Sequence, residues 1–173
     1  MSPNPEYIHL IPEDFHPSSR VWIYQSNRLL MMSEALKLEK MLEEFVGKWT
    51  SHGKQVKGFG TLFFGQFVIL MADETLADVS GCSTDSSVHF IKEVEKSFQI
   101  QLLDRQLLAF WHKEKVQTLP LAQVSYALEN GLIDGTTLYF NNLANTKEKL
   151  TKEWLIPVKE SWLKKYLSAD AAL

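Results

Sequence analysis

Two runs decide the fold: Lys57-Gly-Phe-Gly-Thr-Leu-Phe-Phe64 and Phe67-Val-Ile-Leu-Met-Ala-Asp-Glu74, separated only by Gly65-Gln66. Both are rich in β-forming residues, and a glycine at the join lets the chain take φ > 0 in a tight turn. The spacing predicts a β-hairpin with Gly65-Gln66 at its tip. Phe67 to Ala72 is apolar at every position, so this strand is expected in the middle of a sheet, covered on both faces. It ends at Asp73-Glu74, read as two solvent-facing acids at a strand end. A hairpin at this point argues against a parallel dinucleotide-binding sheet, which needs a helical crossover there.

Upstream, Arg20-Val-Trp-Ile-Tyr-Gln25 is β-branched and aromatic and reads as a strand, with Val21 and Ile23 on one face and Trp22 and Tyr24 on the other. Ser33 is the expected N-cap of a helix whose Leu38, Met41, Leu42, Phe45 and Trp49 recur at helical spacing. Ser51-His-Gly53 stops it, and Gln55 to Phe64 forms the next strand. Downstream, Asp85 to Phe98 is expected as a second helix with Val88, Ile91, Val94 and Phe98 inward. Leu107 to Trp111 is the strand that follows. The order β-α-β-β-α-β is that of a ferredoxin-like split βαβ core, so the expected fold class is α+β. Val116 to Leu119, a helix over Leu121 to Glu129, a strand over Thr136 to Phe140 and a helical tail beyond Pro157 extend it. Residues 1–19 hold four of the six prolines and read as an extended arm, which Tyr7, Ile8, Leu10 and Ile11 could pin to the body. Residues 20–173 are expected as one domain, with a core over 20–112 and an extension over 113–173.

Composition bounds the function classes. The chain has 173 residues, 45% hydrophobic and 23% charged, which is ordinary for a globular domain. Its formal net charge of −3 offers no overall attraction to phosphate polymers, so nucleic acid is not an expected partner. A single cysteine excludes an internal disulfide. The longest apolar run is far short of the roughly 20 residues that span a bilayer. A cytoplasmic location with no membrane span is therefore expected.

The runs Arg20-Val-Trp-Ile-Tyr-Gln-Ser-Asn-Arg28, Val79-Ser-Gly-Cys-Ser-Thr-Asp-Ser-Ser-Val-His-Phe90 and Lys159-Glu-Ser-Trp162 resemble a family of short, uncharacterised bacterial proteins. Its members often carry the label "ABC transporter ATPase". The resemblance spans most of the chain and implies no established activity. Apolar residues ending in Asp73-Glu74 look like a Walker B strand. Phosphoryl transfer in such enzymes also needs a glycine-rich loop with Gly-Lys-Ser/Thr between strand and helix. Gly47-Lys48-Trp49 and Gly53-Lys54-Gln55 lack both the preceding glycine spacing and the hydroxyl. ATPase activity is not expected.

Lys57-Gly-Phe-Gly-Thr-Leu-Phe-Phe64 also matches much of an RNA-recognition pattern, with Thr61 and Leu62 departing from it. In that fold a helix follows the motif strand, whereas here another strand does. Packed core or dimer-face aromatics are the favoured reading. Trp22 and Tyr24 remain as rings that could stack bases, on a face that the C-terminal extension could cover.

The reactive side chains crowd after the central strand. Cys82 is read just before the second helix, where free N–H groups and the helix dipole favour a thiolate or an anion. Ser80, Gly81, Ser83, Asp85, Ser86 and Ser87, with Thr84, are the candidate anion-binding residues. Cys82, Asp73, Glu74 and His89 are the candidate catalytic ones. At 100° per residue Asp85, His89, Lys92 and Lys96 share the outward side of the helix, and Ser87 turns inward, where its hydroxyl needs a partner. No metal-ligand spacing is present, so no metal and no cofactor is expected. Asn141-Asn142 and Lys159-Glu160-Ser161-Trp162 are polar runs that could line a site or cap the ends of elements.

Two functions remain open on the sequence. One is a small binding or assembly domain, dimeric, that holds a small anionic ligand or a protein partner. The other is a thiol-dependent enzyme or redox sensor using Cys82.

Overall fold

The structure, a computed structural model, describes residues 5–75 and 81–168, and of residues 81–83 the backbone alone. It is mixed α+β with antiparallel sheets. The first sheet contains β1 (Arg20–Gln25), β4 (Lys57–Phe63) and β5 (Phe67–Asp73) in the order β1-β5-β4. α1 (Met32–Lys48) joins β1 to a short hairpin, β2 (Thr50–Ser51) and β3 (Lys54–Gln55), which precedes β4. α2 (Gly81–Phe98) follows β5. The second sheet has β6 (Leu107–His112), β7 (Lys115–Pro120), β8 (Leu138–Phe140) and β9 (Leu155–Pro157) in the order β7-β6-β8-β9. α3 (Val124–Glu129) and α4 (Lys147–Glu153) lie in the connections.

All seven residues of β5 are buried, as an apolar run in a central strand requires. Val68, Leu70 and Ala72 face α1 and α2, in a core with Leu38, Leu42, Ile91 and Val94. Phe67, Ile69 and Met71 face the other way, in a core shared with Ala109, Phe140 and Trp154. The period of two thus builds two cores on one strand. The second sheet closes a third around Phe110, Val124, Tyr139 and Leu163.

The glycines of β4 have a packing cause. A Cβ on Gly58 would stand 2.8 Å from Trp49 Cε3, and one on Gly60 3.2 Å from Leu42 Cδ2. Glycine here lets α1 lie close on the strand. Phe59 and Phe63 point to the opposite face, against Phe15 and Tyr7 of the N-terminal arm. The RNA-recognition-like pattern is therefore spent on packing.

Several expectations need correction. The hairpin tip has positive φ at Phe64 (55°) and Gly65 (64°), one residue earlier than Gly65-Gln66. α1 begins before Ser33, and Glu34 caps it by accepting the Met31 N–H at 2.8 Å. The second strand starts at Lys57 because His52-Gly53 turns the chain into the β2–β3 hairpin first. The Trp22 and Tyr24 face is covered by the helices, with Trp22 and Trp49 ring centroids 5.7 Å apart, while arm and extension cover the Val21 and Ile23 face. Of the arm's four pins Tyr7 and Ile11 are buried, whereas Ile8 and Leu10 are exposed. α4 and β9 form up to Pro157, where only a helix beyond it was expected, and the turns after Pro157 are 3₁₀.

The largest departure concerns β6. A ferredoxin-like sheet would place it beside β1, but it pairs with β7 and β8 instead. Lys113-Glu114, with φ of 51° and 59°, fold β7 straight back on β6 as a hairpin, and β8 takes its other side. The outer edge of β1 meets instead Asn145, which accepts the Val21 N–H at 3.0 Å.

Candidate functional site

The stretch singled out in the sequence divides on inspection. Asp73 is not solvent-facing: it is 4% exposed. One carboxylate oxygen accepts the His16 backbone N–H at 3.0 Å, and the other accepts the Thr75 N–H at 3.0 Å and its hydroxyl at 2.7 Å. Lys57 Nζ stands 3.9 Å away. Burial raises the Asp73 pKa, but these hydrogen bonds and the Lys57 charge outweigh it and hold the group at about 2. An ionised acid with all its donors in place fastens the arm to the strand end. Glu74 is half-buried and lies 3.5 Å from Arg20. The two carboxylates therefore serve different neighbours.

α2 is described from Gly81, so Cys82 and Ser83 lie in its first turn rather than before it. Ser80 lies outside the described residues, as do the side chains of Cys82 and Ser83, and of Gly81 only the backbone course is described. Asp85 and His89 are exposed, as the helix geometry predicts, Ser86 is exposed too, and Asp85 and His89 form no ion pair with each other. Ser87 is fully buried and its hydroxyl donates to the Thr84 carbonyl at 2.6 Å. It also neighbours the Tyr24 phenol. Burial raises the Tyr24 phenol above its ordinary pKa, while Ser87 and the charge of Arg105 pull it partway back. No group of three or more metal-ligating side chains gathers among the described residues.

That Tyr24 contact leads to a cleft the sequence did not announce. It lies between the outer edge of β1 and the second sheet, with a volume of about 280 Å³. Ile23, Leu103, Leu107, Leu143 and Trp162 supply apolar wall, and Tyr24, Gln25, Asp104, Arg105 and Asn142 are its polar residues. Leu103 and Leu143 are exposed, at 43% and 63%. A mostly apolar concavity with a few convergent polar groups is the usual form of a ligand site.

A directed chain of hydrogen bonds holds this cleft. Trp154 Nε1–H donates to Asn142 Oδ1 at 3.0 Å, Asn142 Nδ2–H to Gln25 Oε1 at 3.0 Å, and Gln25 Nε2–H to the Leu107 carbonyl at 3.0 Å. The indole can only donate and the carbonyl can only accept, so both amide orientations are forced. Each amide keeps one N–H and one lone pair beyond these bonds. At the cleft's far side Trp162 Nε1–H donates to the Tyr139 hydroxyl at 3.1 Å, and burial pushes the Tyr139 phenol up. Arg105 makes no ion pair among the described residues, and Asp104 accepts the Gln106 N–H at 2.8 Å.

Sequence reasoning placed Asn142 and Trp162 in polar runs beside aromatics, and Gln25 only at a strand end. A polar amide closing a β-branched and aromatic strand is the available signal. Arg28 was also missed as a structural group: it pairs with Glu34 at 2.8 Å and donates to the Phe98 carbonyl at 2.8 Å, joining the start of α1 to the end of α2. No helix among the described residues is long and apolar enough to cross a membrane. No family model matches the chain, and neither a curated protein nor a solved structure does.

Proposed function

We propose that this chain is a binding domain whose ligand enters the cleft between β1 and the second sheet. The supporting observation is the cleft itself: apolar walls around two amides, Gln25 and Asn142, whose orientation is set by the Trp154-to-Leu107 hydrogen-bond chain. Amides recognise and orient; they do not move protons at ordinary pH. Arg105, without an ion-pair partner among the described residues, gives the mouth one cation for an anionic group, with the carboxylate of Asp104 beside it. The split βαβ reading of the first half supports the location, because its plan calls for a fourth strand on the outer edge of β1, where the cleft stands.

The test is a fragment screen followed on ¹⁵N-labelled protein. Binders should shift signals of Gln25, Leu103, Leu143 and Trp162, and Leu143→Glu should abolish those shifts without lowering Tm. Binders that map elsewhere, or none at all, would remove the cleft from consideration. Light scattering at high concentration tests the homodimer, and a monomer there would end that part of the reading.

A further inference from the structure

The outer edge of β1 is hydrogen-bonded at both ends and, among the described residues, unpaired between. Val21 N–H donates outward to the Asn145 carbonyl at 3.0 Å, and Asn27 N–H donates outward to the Gln101 carbonyl at 3.1 Å. Ser26 N–H points the other way, to the Gln66 carbonyl at 2.7 Å, on the side of β5. In an antiparallel strand these directions alternate with period two. Ile23 and Gln25 therefore present N–H and C=O to the outer edge. Among the described residues nothing meets their backbones there, and both line the cleft.

We infer that the cleft takes an extended peptide segment, which adds as a short strand to β1 at Ile23 and Gln25 and carries a carboxylate to Arg105. Two complementarities point to this occupant. The unpaired edge, at half-buried Ile23 and buried Gln25 on the cleft wall, offers donor and acceptor pairs at strand spacing, which an extended backbone matches on alternate residues. The stretch from Val21 to Asn27 is about 20 Å at strand rise, so about four peptide residues fit between its hydrogen-bonded ends. The second complementarity is charge. Arg105 lines the cleft and has no ion-pair partner among the described residues, while Asp104 beside it accepts the Gln106 N–H, so a segment ending in, or bearing, a carboxylate pairs with the guanidinium. Leu103 and Leu143 then meet side chains from one face of the added strand.

This inference rests on the cleft being a binding site, and the test separates the two. Short random peptides with free C-termini are selected on the full immobilised chain, and the selected sequences are titrated into ¹⁵N-labelled protein. The expected result is slowed hydrogen exchange at the Ile23 and Gln25 amides. Binding should weaken about tenfold in Arg105→Glu, the size of one charge-assisted hydrogen bond. Ile23→Pro should also abolish binding, since it removes an outward N–H and leaves the β1–β5 bonds alone. Should that variant fail to fold, Leu143→Glu, at an exposed wall position, replaces it. C-terminally amidated copies tell a terminal carboxylate from an acidic side chain. Selected peptides that bind without protecting Ile23 and Gln25 would overturn strand addition. So would a failed selection beside fragments that still shift Leu103 and Leu143, and the cleft reading would survive. If neither peptides nor fragments touch the cleft, both readings fall.

Discussion

Replacing Asp73 by asparagine isolates what the buried carboxylate does at the end of β5. The substitution keeps the shape but turns one of the two accepting oxygens into a donor. That group must then face either the His16 N–H or the Thr75 N–H and hydroxyl, now 2.7 to 3.0 Å away. Losing a charge-assisted bond in a buried site costs about 1.5–3 kcal/mol. The depressed pKa supplies a second route to the magnitude. A folded pKa of about 2, against an ordinary 3.8, corresponds to about 2 kcal/mol of stabilisation by the charged form. Solvent screening of the Lys57 contact makes this an upper value. The sign follows from the depression: the contribution is complete above the unfolded pKa and fades as pH falls toward the folded one. Urea unfolding of wild type and Asp73→Asn should therefore differ by about 2 kcal/mol at pH 7, and by about half of that at pH 3. Hydrogen exchange at the His16 amide should accelerate in the variant. A difference below about 0.5 kcal/mol at pH 7, or one that does not change at pH 3, would refute the role assigned to the carboxylate.

Other substitutions probe the rest of the framework. Gly58→Ala places a methyl 2.8 Å from Trp49 Cε3, so it should lower stability by about 1–3 kcal/mol in urea melts. Tyr7→Phe removes a buried hydrogen bond of 2.8 Å to the Leu150 carbonyl, a loss of about 1 kcal/mol that should show as faster proteolysis of the arm. Gln25→Leu strands the Leu107 carbonyl and one Asn142 N–H, so it should destabilise by about 1–3 kcal/mol and change Trp154 fluorescence. Tyr24→Pro should unfold the protein, because its N–H bonds β5, whereas Ile23→Pro should be tolerated at the edge. Equal thermal melts for those two prolines would show that the strand's inward and outward directions are assigned the wrong way round.

Much of the first half was legible. β1 is legible to the residue, since a β-branched and aromatic run is closed by polar Arg20 and Gln25 at its ends. The burial of β5 followed from an apolar run with no polar face, and Leu38, Leu42, Ile91 and Val94 were identified by helical period. Ser87 was expected to turn inward and need a partner, and it finds the Thr84 carbonyl. These readings succeed because they depend on one element's own periodicity. Asp73 was misread because a strand-end acid has no local mark of burial. It is covered by His16, 57 residues away in sequence.

The cleft is beyond local reading altogether. Its polar atoms come from residue 25, residue 105 and residue 142, and its existence depends on which strand β6 chooses as neighbour. Sequence alone determined an α+β chain, a central apolar strand with a hairpin before it, and two amphipathic helices. Each follows from alternation or helical spacing within some 20 residues. Only the tertiary structure decided that β6 pairs with β7 and β8 rather than with β1, that the arm seals the opposite face, and that the edge of β1 is left unpaired between Asn145 and Gln101. The physical reason is that β-pairing is a choice among distant partners of nearly equal local propensity. Long-range packing and turn geometry, not the strand's own residues, settle it.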